Sequence, residues 1–303
     1  MIVETLSGCI LCDSRSLDVI DPECNIARCA SCGYVFDNPR PALEELVRFY
    51  SRPSQYDSWL DELEVRERMW KRRLKLVLPF RKSGSLLDVG AGIGQFLSLA
   101  RPYYQDVHGT EVSTTALQVA KQKYGLELFH GTLEGIACCG KTFDNISLFH
   151  VLEHVPDPIS ALRICHSLLS DQGVLIIAVP SEVASLRASL KRLLVARGIL
   201  HPRRGAGRFG LPLIKLTEET SEVHLSHFTP PVLCDLLRRT GFSILKQTLD
   251  PHYVRTNRKE KLRADLYYHF CLAARSLLGT NIYDAMLVIA RKTPLASELR
   301  SAA

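Results

Sequence analysis

From residue 85 onward the chain alternates short apolar runs with longer amphipathic stretches. Apolar runs predict strands at 85–89, 106–110, 126–130, 144–149 and 173–179, and helical periodicity predicts helices at 94–101, 113–123 and 158–169. Strand and helix in regular alternation indicate a parallel sheet joined by crossover helices. The fifth strand is entered through the turn Asp171-Gln172-Gly173 and stopped by Pro180. After an interruption the order resumes at Pro230, with a helix to Arg239, a strand at 242–249, a helix at about 261–277 and a final strand at 283–291. Upstream of the sheet, two amphipathic helices are predicted at 41–50 and about 61–79. Pro41 suits a first helical turn, and Leu43, Leu46 and Val47 share one face.

The interruption has a character of its own. Val183, Leu186, Leu190, Leu193 and Leu194 recur at helical spacing with Arg187, Lys191 and Arg197 off the stripe, and a Gly- and Pro-rich loop follows. Between 183 and 217 there are eight basic residues and no acid, while the whole chain of 303 residues carries a formal charge of +6. The basicity is therefore local, unlike the diffuse coat of a protein that grips a polyanion. Such a helix and loop suit a lid packed on the sheet, a clamp on substrate phosphate through residues such as Arg203, Arg204 and Arg208, or a peripheral contact of 183–208 with an anionic membrane. The most apolar stretch, 174–179, is too short to span a bilayer. Residues 1–14 carry no signal-peptide pattern, so a cytoplasmic location is expected.

Four of the ten cysteines are ordered as Cys9-x2-Cys12 and Cys29-x2-Cys32, with sixteen residues between the pairs. Each C-x2-C turn brings two thiolates to one point, and two such turns complete a closed tetrahedral site. A structural Zn2+ is expected there, with no catalytic role. Binding it would help fold a segment too small to bury its own core. Residues 1–40 hold six acids against three arginines, and four thiolates around Zn2+ are themselves formally −2. A module of that charge is a poor phosphate binder, so nucleic acid is not the expected partner.

The segment Asp88-Val89-Gly90-Ala91-Gly92-Ile93-Gly94 follows an apolar strand and opens a helix. Glycines there let the backbone turn sharply and approach a ligand. The third glycine comes one residue too early for the dinucleotide fingerprint, which speaks against a nicotinamide cofactor. Glu111, at the end of the next strand, stands where a carboxylate can accept hydrogen bonds from both hydroxyls of a ribose.

These residues resemble the first motif and the ribose-binding acid of the class I S-adenosylmethionine-dependent methyltransferases. The resemblance covers about 85–180 and continues more weakly to 291. Gly131-Thr132-Leu133-Glu134 resembles the adenine loop, with Thr132 where many members have Asp. Phe143-Asp144 through His150-Val151-Leu152-Glu153-His154-Val155-Pro156-Asp157-Pro158 is similar to the fourth-strand motif of bacterial small-molecule methyltransferases. The fifth strand is followed by Pro180-Ser181 where Pro-Asn is usual. The resemblance implies an α/β, Rossmann-like seven-stranded sheet with its last strand antiparallel and helices on both faces. It also implies S-adenosyl-L-methionine as cofactor, held by Asp88, Gly90, Gly92, Gly94, Glu111, Thr132, Leu133 and His150. The four-cysteine segment resembles the zinc-binding module that precedes some small-molecule methyltransferases, including those acting on deoxysugars.

The expected division is a zinc-ribbon-like module at 1–40, a helical connector at 41–82, the cofactor-binding core at 83–182, a basic lid or insertion at 183–229 and the rest of the domain at 230–303. His150, Glu153 and His154 leave the fourth strand at its carboxyl end, where open α/β sheets place their sites, and His224 and His227 precede Phe228-Thr229-Pro230. His154 and His227 are the candidates for general base, with His150 and Glu153 beside them. The expected acceptor is a small molecule carrying phosphate, such as a sugar, a nucleotide-sugar or a lipid-linked intermediate. The competing readings are an RNA methyltransferase and a non-enzymatic binding protein of the same fold. The first of these lacks support in an Asn/Asp-Pro-Pro-aromatic motif after the fourth strand.

Overall fold

The structure is a computed structural model that describes residues 2–52, 57–181, 183–201, 211–217, 222–252, 257–279 and 281–294. The chain opens with strands β1 (Val3–Glu4), β2 (Leu17–Asp21), β3 (Ile26–Cys29), β4 (Val35–Asp37) and β5 (Arg40–Pro41). Helices α1 (Leu43–Tyr50), α2 (Asp57–Asp61) and α3 (Leu63–Val77) follow. Pro41 therefore closes a strand: Val3 pairs with Pro41, and α1 starts two residues later than its proline suggested. A strand edge tolerates proline because its missing donor faces no partner.

The alternating part runs β6 (Ser85–Val89), α4 (Gln95–Ala100), β7 (Asp106–Glu111), α5 (Thr114–Tyr124), β8 (Phe129–His130), α6 (Leu133–Ala137), β9 (Phe143–Phe149), α7 (Pro158–Leu168) and β10 (Leu169–Pro180). It ends with α8 (Leu186–Ala196), β11 (Ser226–His227), α9 (Pro230–Arg239), β12 (Phe242–Leu249), α10 (Arg258–Leu278) and β13 (Ala285–Lys292). Seven of these strands form one sheet in the order β12-β13-β10-β9-β6-β7-β8, with β13 antiparallel to both of its neighbours. The Rossmann-like sheet and its antiparallel last strand are as the resemblance implied.

Period-two alternation splits the core into two layers. Leu175, Ile177 and Val179 of β10 face a cluster with α6, α7 and α9, while Val174, Ile176 and Ala178 face α3, α4 and α5. The first cluster also takes in Cys9, Leu11, Tyr34 and Phe36, so the N-terminal module packs directly on the large sheet. The module's own four-stranded sheet has the order β11-β4-β3-β2, and its edge strand β11 comes from residues far downstream.

β10 and β12 end at the edge where β6, β7 and β9 end, and β13 starts there. α8 leaves β10 at that edge, and α10 fills the connection between β12 and β13. Ser185 caps α8 by accepting from Ala188 N–H, and its hydroxyl donates to the Asp284 carboxylate.

Candidate active site

The loop from β6 to α4 is shaped by left-handed glycines, with φ of 66° at Gly90, 55° at Gly92 and 77° at Gly94. A side chain at Gly90 would be strained at that φ, and its Cβ would lie 2.7 Å from Val151 Cγ2. Glu111, 3% exposed, ties this loop to the end of β7. Its Oε2 accepts from Gly92 N–H at 2.8 Å, and its Oε1 accepts from Val112 N–H at 2.8 Å and Ser113 N–H at 2.9 Å. Asp88 lies beneath the loop and accepts from Ser147 Oγ at 2.6 Å; burial pushes its carboxyl up to about 7. Gly131 N–H donates to Glu111 O at 3.0 Å, bringing Thr132 and Leu133, which start α6, beside the same loop. A bare backbone, a buried acid and an apolar wall thus meet in one cradle, and they fit a nucleoside-type cofactor.

A chain of buried polar side chains lies at the same edge of the sheet. Arg73 of α3, 1% exposed, is bidentate on Asp250, 0% exposed, through Nε at 2.8 Å and Nη2 at 2.5 Å. His150 Nε2 lies 3.0 Å from Asp250 Oδ2, and its Nδ1 lies 3.2 Å from Glu153 Oε1. His150 has φ 56°, a conformation that costs a non-glycine residue about 1–3 kcal/mol and persists where surrounding contacts hold it. Burial works against charge on His150, but Asp250 and Glu153 outweigh it and raise its pKa. With a carboxylate facing each ring nitrogen its protonated form is favoured, which suits it poorly to act as a base. Burial would likewise lift Asp250 and Glu153; the cations beside each hold them below the ordinary carboxylate range.

Beyond Glu153 the chain reaches His154, whose Nδ1 lies 2.6 Å from Val223 O and 2.8 Å from Tyr50 Oη. A carbonyl only accepts, so Nδ1 carries the proton and Nε2 is left to act as base or ligand. Burial lowers the pKa of His154. His227 stands apart from this group. Its Nε2 lies 2.8 Å from Asp37 Oδ2, inside the sheet that β11 shares with β4, so it braces the N-terminal module against the domain. His224 takes its place, with its ring centroid 5.1 Å from that of His154.

Sequence reasoning missed Arg73, Tyr50 and Asp250. Asp250 directly follows a predicted strand at the site edge, a signal that was available. Arg73 sits among other basic residues of an amphipathic helix and looks like one more solvated cation. Arg203, Arg204 and Arg208 lie outside the described residues.

The four cysteines converge as their spacing requires. Their Sγ atoms all lie within 4.8 Å of one another, with Cys9–Cys32 and Cys12–Cys29 each at 3.5 Å. Tetrahedral bonds of about 2.3 Å demand edges of about 3.8 Å, so the set fits one tetrahedral ion. The two turns are geometric copies: Asp13 N–H donates to Cys9 O and Gly33 N–H to Cys29 O, each from a left-handed residue. The module is anchored by Tyr34 Oη to Ser226 Oγ at 2.5 Å, Arg40 Nη1 to Pro156 O at 2.9 Å and Arg239 Nη2 to Leu11 O at 2.6 Å.

A family model described as Methyltransferase domain matches residues 62–247. A ubiquinone biosynthesis O-methyltransferase of Haemophilus ducreyi is 34% identical over 103 residues, 31% of this chain and 44% of the relative. The first curated relatives are thus spanned over less than half their length. One of the same name from Cereibacter sphaeroides is 29% identical over 68% of this chain and 74% of its own. Among solved structures, S-adenosylmethionine dependent methyltransferases of Mesorhizobium loti and Listeria monocytogenes share the fold. The first has TM-score 0.51 at 20% identity, covering 73% of this chain and 96% of that one. The second has TM-score 0.52 at 17% identity, covering 76% and 100%.

Proposed function

Because the chain belongs to the methyltransferase-domain family, we propose that it transfers the methyl group of S-adenosyl-L-methionine to a hydroxyl oxygen of a small amphipathic acceptor. The carrying observation is that the glycine cradle with Glu111 and the buried set of His150, Glu153 and His154 occupy one edge of the sheet. The names of the curated relatives, ubiquinone biosynthesis O-methyltransferase, support oxygen as the methylated atom.

The sulfonium of the bound cofactor supplies an already activated methyl group, so the protein's task is alignment and exclusion of water. Glu111 would accept from the ribose hydroxyls, the backbone at Gly90 and Gly92 would lie against the cofactor, and Thr132 and Leu133 would flank the adenine. His150, fixed between Asp250 and Glu153, is a positioned cation that shapes the cleft floor. Glu153 and the Nε2 of His154 are the groups that could take up the acceptor proton. The structural ion of the cysteine quartet would be Zn2+, as four thiolates prefer. Labelled methyl from S-adenosylmethionine should enter a small-molecule or lipid fraction of source-cell extract, and Glu111→Ala should lower cofactor affinity by about two orders of magnitude, two charge-assisted hydrogen bonds being lost. Label confined to a nuclease-sensitive fraction would overturn the acceptor class.

A lipid-linked acceptor is supported by the outer surface around this edge. Among the described residues, ten of the seventeen exposed large hydrophobics lie in α8, the turn after it and α10, including Leu190 at 55%, Leu266 at 63% and Phe270 at 61%. The apolar stripe of α8 expected to pack as a lid is thus largely outward-facing: Leu186, Leu190 and Leu193 are all exposed. Nine basic residues and two acids accompany these apolar side chains over 185–201 and 258–278. An outward apolar stripe with basic flanks suits the interface of an anionic bilayer. No helix among the described residues is long and apolar enough to cross one. The protein should float with phosphatidylglycerol vesicles and not with phosphatidylcholine vesicles, and Leu190→Asp with Phe270→Asp should reduce the bound fraction at least tenfold. Equal flotation of the wild type and the double variant would remove the membrane from the proposal.

A further inference from the structure

Glu153 is 0% exposed; its Oε1 faces His150 Nδ1 at 3.2 Å, and its Oε2 has no hydrogen-bond partner among the described residues. A buried carboxylate oxygen left in that state is costly and calls for a partner. One oxygen of Glu153 and one ring nitrogen each of His154 and His224 lie within 4.8 Å of one another. We infer that Glu153, His154 and His224 form a second metal site, separate from the cysteine quartet, for a divalent transition-metal ion that faces the acceptor. Two imidazoles and one carboxylate are the donor set that binds such ions while leaving positions open to a substrate.

The surroundings support the assignment. His154 is held by Val223 O at 2.6 Å and Tyr50 Oη at 2.8 Å on Nδ1, the outer support that fixes a ligating imidazole. That leaves Nε2 as the ligand atom, 3.9 Å from Glu153 Oε1. Bonds of about 2.1 Å give tetrahedral edges of about 3.4 Å, so a small side-chain rotation closes the site. His224 lines a cavity of about 190 Å3 with Leu211, Leu213 and Lys215, which gives the open face of an ion somewhere to receive an acceptor.

A neighbouring group of similar composition, His150, Asp250 and His252, does not qualify. The Arg73 guanidinium is bidentate on Asp250 and its Nη2 lies 2.8 Å from His252 Nδ1, so a cation already fills that place. Glu153 has no guanidinium; the cation beside it is the His150 ring on Oε1, which leaves Oε2 open. An ion at Glu153 would bind an acceptor hydroxyl and lower its pKa; with Glu153 and His154 then engaged as ligands, the proton would leave to water and not to either of them. That role rests on the methyl-transfer reading above; the binding of the ion does not.

The test uses the full chain with no cofactor or acceptor, dialysed against EDTA until only the thiolate-bound zinc remains, and titrated with Mn2+ under electron paramagnetic resonance. Mn2+ favours oxygen and nitrogen over thiolate ligands, so the cysteine quartet does not compete. The expected result is one Mn2+ per chain with imidazole nitrogen coupling in its spin-echo spectrum. Affinity should fall about tenfold or more in His224→Ala and in Glu153→Gln. Absence of Mn2+ binding by the wild type, binding without nitrogen coupling, or unchanged affinity in a folded variant would each overturn the site. Because wild-type coupling is read directly, the test stands even where Glu153→Gln fails to fold. Methyl transfer is assayed separately, so failure of the metal site and failure of the proposed reaction remain distinguishable.

Discussion

An Arg73→Met protein should be less stable than the wild type by about 3–5 kcal/mol, the cost of stranding one partner of a buried ion pair. Arg73 and Asp250 are 1% and 0% exposed, and the pair is bidentate, so removing the guanidinium leaves Asp250 with His150 alone as its cation. Burial lifts the Asp250 carboxyl, and Arg73 more than reverses this, holding it well below the ordinary range. A depressed folded pKa contributes stability above the unfolded carboxylate pKa and loses it as pH falls through the folded one. The variant's deficit should therefore be full at neutral pH and shrink in acid. Thermal unfolding should show a Tm lower by on the order of 10 °C. The double variant Arg73→Met/Asp250→Asn should recover much of the loss, since a neutral pair leaves no stranded charge. A single variant as stable as the wild type at pH 7 would show that the pair does not hold α3 to the end of β12.

Loss of one thiolate should have an effect of similar size, and it should not stay local. Apparent metal binding energies of about 10–16 kcal/mol in small zinc modules are largely folding energy, so Cys12→Ser should disorder the segment around both turns. Cobalt-reconstituted wild type should show thiolate-to-metal charge-transfer absorption, and the variant should lose it. The module shares β11 with the downstream chain, Tyr34 bonds to Ser226, and Leu225 N–H donates to Glu153 O at 2.8 Å. Disorder should therefore pass along β11 towards Glu153, lowering methyl transfer as well as the stability of residues 1–40. Proteolysis confined to the N-terminal segment, with methyl transfer intact, would show the module to be an independent appendage.

Much of the large sheet was legible because its signals are local. The strand expected at 85–89 is Ser85–Val89, and the one expected at 144–149 is Phe143–Phe149. The strand expected at 126–130 shrinks to Phe129–His130 for a local reason the pattern does not encode. Gly125 ends α5 in the left-handed region, and Leu126 N–H is spent on Ala120 O, so no ladder can start there. The strand at 173–179 extends to Leu169–Pro180 across an irregularity between Leu169 and Val174, where Gln172 has φ 59°. The two-residue strands β1, β5 and β11 were not legible at all, since pairs such as Ser226 and His227 have too few positions to show a period.

The candidate site divides in the same way. The glycines, Glu111 and the cysteine quartet act through backbone geometry and spacing within a short segment, so adjacent residues suffice to reveal them. His227 and His224 differ by three positions in one loop, and no local rule says which of them turns towards His154. That choice was made by β11, which hydrogen-bonds to β4 and commits His227 to Asp37. Arg73, Tyr50 and Asp250 meet His150 and His154 only because α3, α1 and β12 converge on one edge of the sheet. The sequence by itself therefore determined the α/β class, the glycine loop after the first sheet strand and the clustering of the four cysteines, which are written in neighbouring residues. Tertiary structure alone decided which buried charges are neutralised, because desolvation and pairing depend on groups as far apart in the chain as Arg73 and Asp250, separated by 177 positions, or Asp37 and His227, separated by 190.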